Sequence, residues 1–319
     1  MSEHKTNGLA VEAKGLVKRY TEEVLAVDGI DLDIAENTIY AMLGPNGAGK
    51  TTTFSMLTTL LEPTAGTAQV LGYDVVKQAN DVRRQIGVTF QETVLDQELK
   101  GRQALDYHGR LYGMNKEQRS AKIAELLPLV ELEEAADRLI STYSGGMKRR
   151  LELIRGLMTN PRVLFLDEPT LGLDPQSRAR IGDYIVDLKD KQGLTVLLTT
   201  HYMDEAEVLA DTVGIIDHGK ILVEGTPKEL VDGMGADVIV IQGSGEDKNF
   251  IERVNALPYT ESVTNADGVI QIGVGSGSRR LVEIVTLANE TGYQVDDISV
   301  SKPSLGDVFL QYTGRQFRD

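Results

Sequence analysis

The sequence predicts an α/β fold followed by a smaller α+β domain, and three observations carry that expectation. Strand-like and helix-like stretches alternate from Leu9 to about Gly225, the order that builds a sheet with helices packed on it. Val163–Leu166 and Thr195–Thr199 are short continuous apolar runs, as expected of strands buried on both faces of a parallel sheet. After about Gly235 the texture changes and the order becomes β-α-β-β-α-β, that of a ferredoxin-like domain.

Taken in order, Leu25–Ile34 and Thr38–Leu43 read as strands entering a Gly-rich turn, and Lys50–Leu61 as the helix after it. Ile86–Phe90 reads as a further strand. Lys116–Val130 has helical spacing at Ile123, Leu126, Leu127 and Val130. In such a sheet, ligands collect at the carboxyl ends of the strands. In the second domain, Asp237–Gln242 is expected as a strand and Lys248–Ala256 as a helix. Glu261–Thr264 and Val269–Val274 form a hairpin about Asn265-Ala266-Asp267-Gly268. Arg279–Thr291 reads as a helix, Gln294–Ser301 as a strand, and Leu305–Thr313 as a last helix packed back onto one of the domains. The expected division is therefore 1–230 and 235–319.

Composition narrows the class. The chain has 319 residues, with 48 acidic against 33 basic and a formal charge of −15. An acidic surface repels a phosphodiester backbone, so nucleic acid is not expected as the main partner. The absence of Cys excludes disulfides and thiol chemistry and fits a reducing cytosol. Met1 to Asn7 is polar and charged, without the apolar core of a signal peptide. The longest apolar stretches, such as Val238–Ile241, fall far short of the roughly 18 residues that span a bilayer. A soluble chain is expected, and any membrane-spanning part must come from another polypeptide.

The chemistry-bearing residues are ordered. Gly44-Pro45-Asn46-Gly47-Ala48-Gly49-Lys50-Thr51 has the spacing G-x-x-x-x-G-K-[ST] of a P-loop, after an apolar strand and at the start of a helix. The glycines let backbone N–H groups wrap phosphates, with Thr52 next in the loop. Lys50 would reach the β- and γ-phosphates, and the Thr51 hydroxyl would bind Mg²⁺. Val163-Leu164-Phe165-Leu166-Asp167-Glu168 buries a strand and delivers two carboxylates at its end. Asp167 is expected to hold Mg²⁺ and Glu168 to polarise an attacking water. His201 follows the next apolar strand, where it could contact the γ-phosphate. Gln91, after Ile86–Phe90, could contact both Mg²⁺ and that water. Tyr20, upstream of the loop, could stack on a base, worth roughly 1–3 kcal/mol.

Ser144-Gly145-Gly146 adds a second anion site: at a helix start it exposes backbone N–H groups and the positive end of the dipole. Two phosphate-binding turns and one carboxylate pair suggest that each turn grips one end of a nucleotide held between two molecules.

These residues resemble one family, the ATP-binding-cassette (ABC) ATPases, over about Leu9–Gly225. Tyr20 resembles its adenine-stacking aromatic, Gly44–Thr51 its Walker A loop, Gln91 its Q-loop glutamine and Ser144-Gly145-Gly146 its signature. Asp167-Glu168 is similar to Walker B with its catalytic Glu, Gly172-Leu173-Asp174 to the D-loop, and His201 to the switch histidine. The resemblance implies a RecA-like core with a helical subdomain at about 92–140, ATP and Mg²⁺ as ligands, and a head-to-tail dimer with a second copy or a related ATPase. In that dimer Ser144–Gly146 and Asp174 act in trans. It also implies a transmembrane permease on a separate chain and a place at the cytoplasmic face of the cell membrane. Tyr143–Leu151, with Asp307-Val308-Phe309-Leu310 and Thr313-Gly314, is similar to the daunorubicin-resistance type of exporter ATPase. That type implies export of hydrophobic drugs, lipids or similar compounds. Met147 stands where many family members carry Gln.

Two other classes compete. A soluble ABC ATPase of translation or DNA maintenance would bring tandem cassettes or long coiled coils, and this chain has one cassette and no such coils. A P-loop kinase leaves Ser144–Gly146 unexplained. The C-terminal domain is open to three roles: regulation, bracing of a dimer, or a passive appendage.

Overall fold

Strand pairing sorts the described residues into three sheets, and their order decides which loops meet. The structure is a computed structural model that describes residues 8–91, 94–234, 237–266, 268–275 and 277–314. Two compact units divide between Ile221 and Leu222.

One sheet runs in the order β10-β9-β3-β8-β7-β6: β3 (Ile39–Leu43), β6 (Ile86–Thr89), β7 (Val163–Asp167), β8 (Thr195–Thr200) and β9 (Thr212–Asp217) belong to the first unit, and β10 (Lys220–Gly225) begins in it. The pairings from β9 through β6 are parallel. Every residue of β3, β7 and β8 is buried, which accounts for their unbroken apolar runs. The register sets Leu43 beside Thr200, Asp167 beside Thr199, and Thr89 beside Leu166. The carboxyl ends of four strands are thereby level, and the loops leaving them converge.

A separate antiparallel sheet, β2-β1-β4-β5, contains β1 (Leu9–Arg19), β2 (Leu25–Ala35), β4 (Ala65–Val70) and β5 (Tyr73–Asp74). This corrects one expectation: Leu25–Ile34 is a strand but does not enter the Gly-rich turn, which only β3 does. The reason is visible in its alternation. Ile30, Leu32 and Ile34 are buried while Asp31 and Asp33 face out, the pattern of a sheet with one wet face.

The helices are α1 (Lys50–Leu57), α2 (Ala79–Gln85), α3 (Gly101–Leu111), α4 (Lys116–Leu129), α5 (Gly145–Gly156), α6 (Pro175–Gln192) and α7 (Met203–Leu209). α1 ends four residues before the expected Leu61. The Thr58 hydroxyl turns back onto the Phe54 carbonyl at 2.9 Å, and Thr59 takes a left-handed φ of 64°, so the chain leaves the helix. Phe54 of α1 meets Phe165 of β7 edge-on at 5.7 Å, inside a core that also contains Ile30 of β2 and Leu197 of β8. That core ties the two sheets together. Within the expected helical region of 92–140, α3 and α4 are present, while Glu92 and Thr93 lie outside the described residues.

His108 of α3 is partly buried against Tyr112, 4.9 Å between rings. Burial, and secondarily the Arg155 guanidinium, push its pKa down from 6.5 to about 4. The unfolded chain therefore takes up this proton first as pH falls, so the stability contribution is complete above pH 6.5 and gone by about pH 4. At about 1.4 kcal/mol per pKa unit the full effect is roughly 3 kcal/mol. We expect His108→Gln to lose less urea resistance than the unmodified protein between about pH 7 and about pH 5. Equal losses in both would show that His108 contributes nothing to acid sensitivity.

The second unit holds β11 (Asp237–Gly245), α9 (Asp247–Asn255), β12 (Thr260–Ala266), β13 (Val269–Val274), α10 (Gly277–Thr291), β14 (Tyr293–Ser301) and α11 (Leu305–Thr313), with α8 (Pro227–Asp232) ahead of them. The sheet order is β12-β13-β11-β14, antiparallel throughout, as a ferredoxin-like domain requires. Its core includes Ile239, Ile241, Ile270, Ile272 and Ile284, with Phe250 stacked on Tyr293 at 5.1 Å. Asp267 of the expected hairpin turn lies outside the described residues, as do Met1–Asn7 and Gly235. Among the described residues no helix is long and apolar enough to cross a membrane.

Candidate active site

The Gly-rich turn links the end of β3 to α1. Gly47 and Gly49 take φ values of 82° and 107°, which side chains rarely adopt, and a Cβ on Gly49 would lie 2.6 Å from the Ala26 carbonyl oxygen. Gly49 caps α1 without a side-chain acceptor, so the first-turn N–H groups of α1 keep their capacity for an outside anion. The Lys50 ammonium is buried, donating to the Gly44 carbonyl at 2.6 Å and the Pro45 carbonyl at 3.1 Å. Burial lowers its pKa, and the nearby Glu168 carboxylate works against that shift.

Asp167 and Glu168 stand at the end of β7. Asp167 Oδ1 accepts from Thr199 Oγ1 at 2.5 Å and lies 3.5 Å from Thr51 Oγ1. Burial raises its pKa, and the Thr199 hydrogen bond opposes this. Glu168 is held in a left-handed φ of 47° because its N–H is gripped by the Thr199 hydroxyl at 3.0 Å and the Thr199 carbonyl at 3.2 Å. Its carboxylate is buried and lies 3.5 Å from Lys50 Nζ and 3.3 Å from His201 Nδ1, and it accepts from Gln91 Nε2 at 3.4 Å. The His201 contact lacks hydrogen-bond alignment, which leaves Nδ1 buried and unpaired. Three residues from three different loops thus converge on one carboxylate.

A cleft of ≈ 440 Å³ opens over this group, lined by Tyr20, Val24, Ala26, Pro45, Asn46, Gly47, Gly49, Lys50, Thr51, Thr52, Gln91 and Glu168. Tyr20 is 54% exposed on the wall of the cleft, with Lys18 Nζ 5.6 Å from the centre of its ring. A groove of similar size, ≈ 450 Å³, lies beside Tyr112 and Lys122, but its described lining brings neither a phosphate-binding turn nor a carboxylate pair.

Ser144, Gly145, Gly146 and Asp174 do not line the cleft; they stand at the starts of α5 and α6. Ser144 caps α5, accepting from the Met147 N–H at 3.2 Å. Asp174 caps α6, accepting from the Ser177 N–H at 3.0 Å and the Ser177 hydroxyl at 2.6 Å. The two helix starts pack together, since a Cβ on Gly146 would lie 3.0 Å from Ser177 Oγ.

Two further residues escape the sequence reading. Thr199 grips both carboxylate residues, and Arg149 of α5, buried, bonds to the carbonyls of Asp167, Glu168 and Pro169. Arg149 lies within the Tyr143–Leu151 stretch singled out for its resemblance, but nothing in Lys148-Arg149-Arg150 gives it a role in the site.

The chain is also similar to known proteins. Residues 27–171 match the family model described as ABC transporter, and residues 225–313 match one described as ATP-binding protein DrrA1-3-like, C-terminal domain. The chain is 41% identical to the daunorubicin resistance ATP-binding protein DrrA3 of Streptomyces coeruleorubidus, covering 96% of each chain. It is 37% identical to the Nod factor export ATP-binding protein I of Ralstonia nicotianae, over 97% of this chain and 95% of that one. Among solved structures, a dimeric post-hydrolysis state of an ATP-binding cassette bound to ADP and Pi superposes with a TM-score of 0.61 at 26% identity, covering 68% of this chain and 98% of that one.

Proposed function

Because the chain belongs to the ATP-binding proteins of ABC transporters, a family that hydrolyses ATP, we propose that it is the motor subunit of an exporter. Residues 1–230 bind and hydrolyse the nucleotide, and 235–319 form an accessory domain. A separate transmembrane permease carries hydrophobic drugs, lipids or similar compounds, and the chain works at the cytoplasmic face of the membrane. The names of the full-length relatives support export. The observation that carries the reading is the convergence of Lys50, Gln91 and His201 on Glu168 at the floor of the cleft.

In this reading Tyr20 stacks on adenine. The loop from Gly44 to Thr52 surrounds the phosphates, and Lys50 exchanges its carbonyl partners for phosphate oxygens. A bound Mg²⁺ would supply positive charge that offsets the phosphates. The Thr51 hydroxyl and Asp167 carboxylate, 3.5 Å apart, offer the hard oxygens it requires, with Gln91 as a third contact. Glu168 orients the attacking water and takes up its proton. The buried, unpaired Nδ1 of His201 supports a role for that side chain in contacting the γ-phosphate. A partner's Ser144–Gly146 and Asp174 close over the same nucleotide. ATP alone satisfies both faces, so binding selects the closed dimer and hydrolysis releases it. Positioning and charge stabilisation supply most of the acceleration.

Two results are expected. First, Tyr20→Ala weakens binding of a fluorescent ATP analogue by roughly 1–3 kcal/mol while leaving kcat nearly unchanged; equal affinity would remove Tyr20 from the site. Second, the tagged full-length chain co-purifies with one polytopic membrane protein, and amphiphilic compounds raise its ATPase activity in vesicles. Co-purification with ribosomes, and activity indifferent to membranes, would favour the soluble class instead.

A further inference from the structure

Arg149 occupies an unusual position between the two anion sites. It lies in the second turn of α5, the helix that Ser144 caps, yet its guanidinium bonds to the backbone of Asp167 and Glu168. All five of its N–H donors are used. Nε donates to the Pro169 carbonyl at 2.7 Å, and Nη2 donates to the carbonyls of Asp167 and Glu168, both at 2.8 Å. Nη1 donates to the Phe90 carbonyl at 2.6 Å and to Glu152 Oε2 at 3.2 Å. Phe90 directly precedes Gln91. On the other flank of the Gln91 loop, Glu152 accepts from the Val94 N–H at 2.8 Å and Arg155 donates to the Val94 carbonyl at 2.8 Å. One helix therefore holds the backbone of the catalytic carboxylate and both flanks of the glutamine loop.

We propose that Arg149 is a positioning residue that transmits engagement of the Ser144–Gly146 turn to Glu168 and Gln91 of the same chain. Each site's chemistry thereby responds to the nucleotide in the other. This rests on the shared-site reading above. The physical basis is rigidity. The planar guanidinium fork fixes several acceptors relative to one another, so a small shift of α5 on gripping the partner's nucleotide moves the Asp167–Pro169 backbone with it. A misplacement of about 1 Å at a reacting group can cost about 10²-fold in rate. A residue that merely stabilised the fold would show in melting temperature and nucleotide affinity, not in cooperativity.

The test uses the full-length chain with Arg149→Lys and Arg149→Met. Lys keeps the charge and the apolar stem but cannot span five acceptors. Three quantities are measured: thermal midpoint, binding of a fluorescent ATP analogue to the separated subunit, and hydrolysis rate against ATP concentration. The expected result for Arg149→Lys is a lower thermal midpoint in a protein still folded at the assay temperature, a near-unchanged affinity, a kcat lower by at least about tenfold, and a hyperbolic ATP dependence where the unmodified protein is cooperative. Unchanged kcat and cooperativity in Arg149→Lys overturn the proposal, as does a rate loss matched by lost nucleotide binding in both variants. A hyperbolic curve for the unmodified protein overturns it as well. ATP-dependent dimerisation of Glu168→Gln, measured in parallel, separates the premises. If that dimer forms while Arg149 variants stay cooperative, only the coupling role fails; if it does not form, the shared site fails and the coupling with it.

Discussion

Glu168→Gln is expected to lower ATP hydrolysis by about 10²–10⁴, the usual cost of losing a general base, while ATP still binds and the protein accumulates as a dimer. The amide preserves the shape and the contact with Gln91 at 3.4 Å but cannot accept the water's proton. It also removes the negative charge 3.5 Å from Lys50, which leaves that ammonium to the phosphates. Binding therefore survives or tightens while turnover stops. Size-exclusion with ATP and a phosphate-release assay read both halves. Hydrolysis at the unmodified rate would dismiss Glu168 from its role.

Ser144→Arg should abolish turnover, by at least about 10² if the signature donors act as other preorganised anion holes do, while ATP affinity of the separated subunit stays the same. Ser144 is exposed and lies outside the cleft, so nothing in the subunit's own nucleotide pocket changes. Losing the cap on α5 costs about 1 kcal/mol of stability, too little to unfold a domain of this size. The damage falls on the face that would meet the partner's nucleotide, where a long cationic side chain replaces a small hydroxyl. Calorimetric titration of the monomer and steady-state hydrolysis form the pair of readings. Weakened binding to the monomer would place Ser144 in the chain's own pocket and argue against a shared site.

The parts of the site that were legible in the sequence are those whose chemistry is local. The P-loop announces itself because strand, glycines, lysine and helix are consecutive, and Asp167-Glu168 because an apolar strand ends in them. The C-terminal order of elements was legible for the same reason: its strands and helices each carry their own periodicity. What stayed hidden depends on neighbours distant in sequence. Arg149 bonds to Phe90 from 59 residues away and to Asp167 from 18, and nothing in Lys148-Arg149-Arg150 says which of three cations turns inward. Thr199 looked like one more β-branched strand residue, although its hydroxyl joins Asp167 to the Glu168 backbone. The separate antiparallel sheet was missed because a strand's sheet is chosen by its partners, with Asp31 and Asp33 the one local hint. The early end of α1 goes with the left-handed backbone of Thr59, which nothing in the local sequence announces.

The central claim is that one nucleotide is enclosed by Lys50's loop on one subunit and Ser144's turn on another. The chain contains no Cys, so introduced thiols have no competitors. Two differently tagged chains, one with Asn46→Cys and the other with Ser144→Cys, both in the Glu168→Gln background, are mixed and treated with a short bismaleimide. The account predicts a cross-linked pair carrying both tags, formed with ATP and absent without it. No mixed-tag product with ATP, or the same product with and without nucleotide, would contradict it.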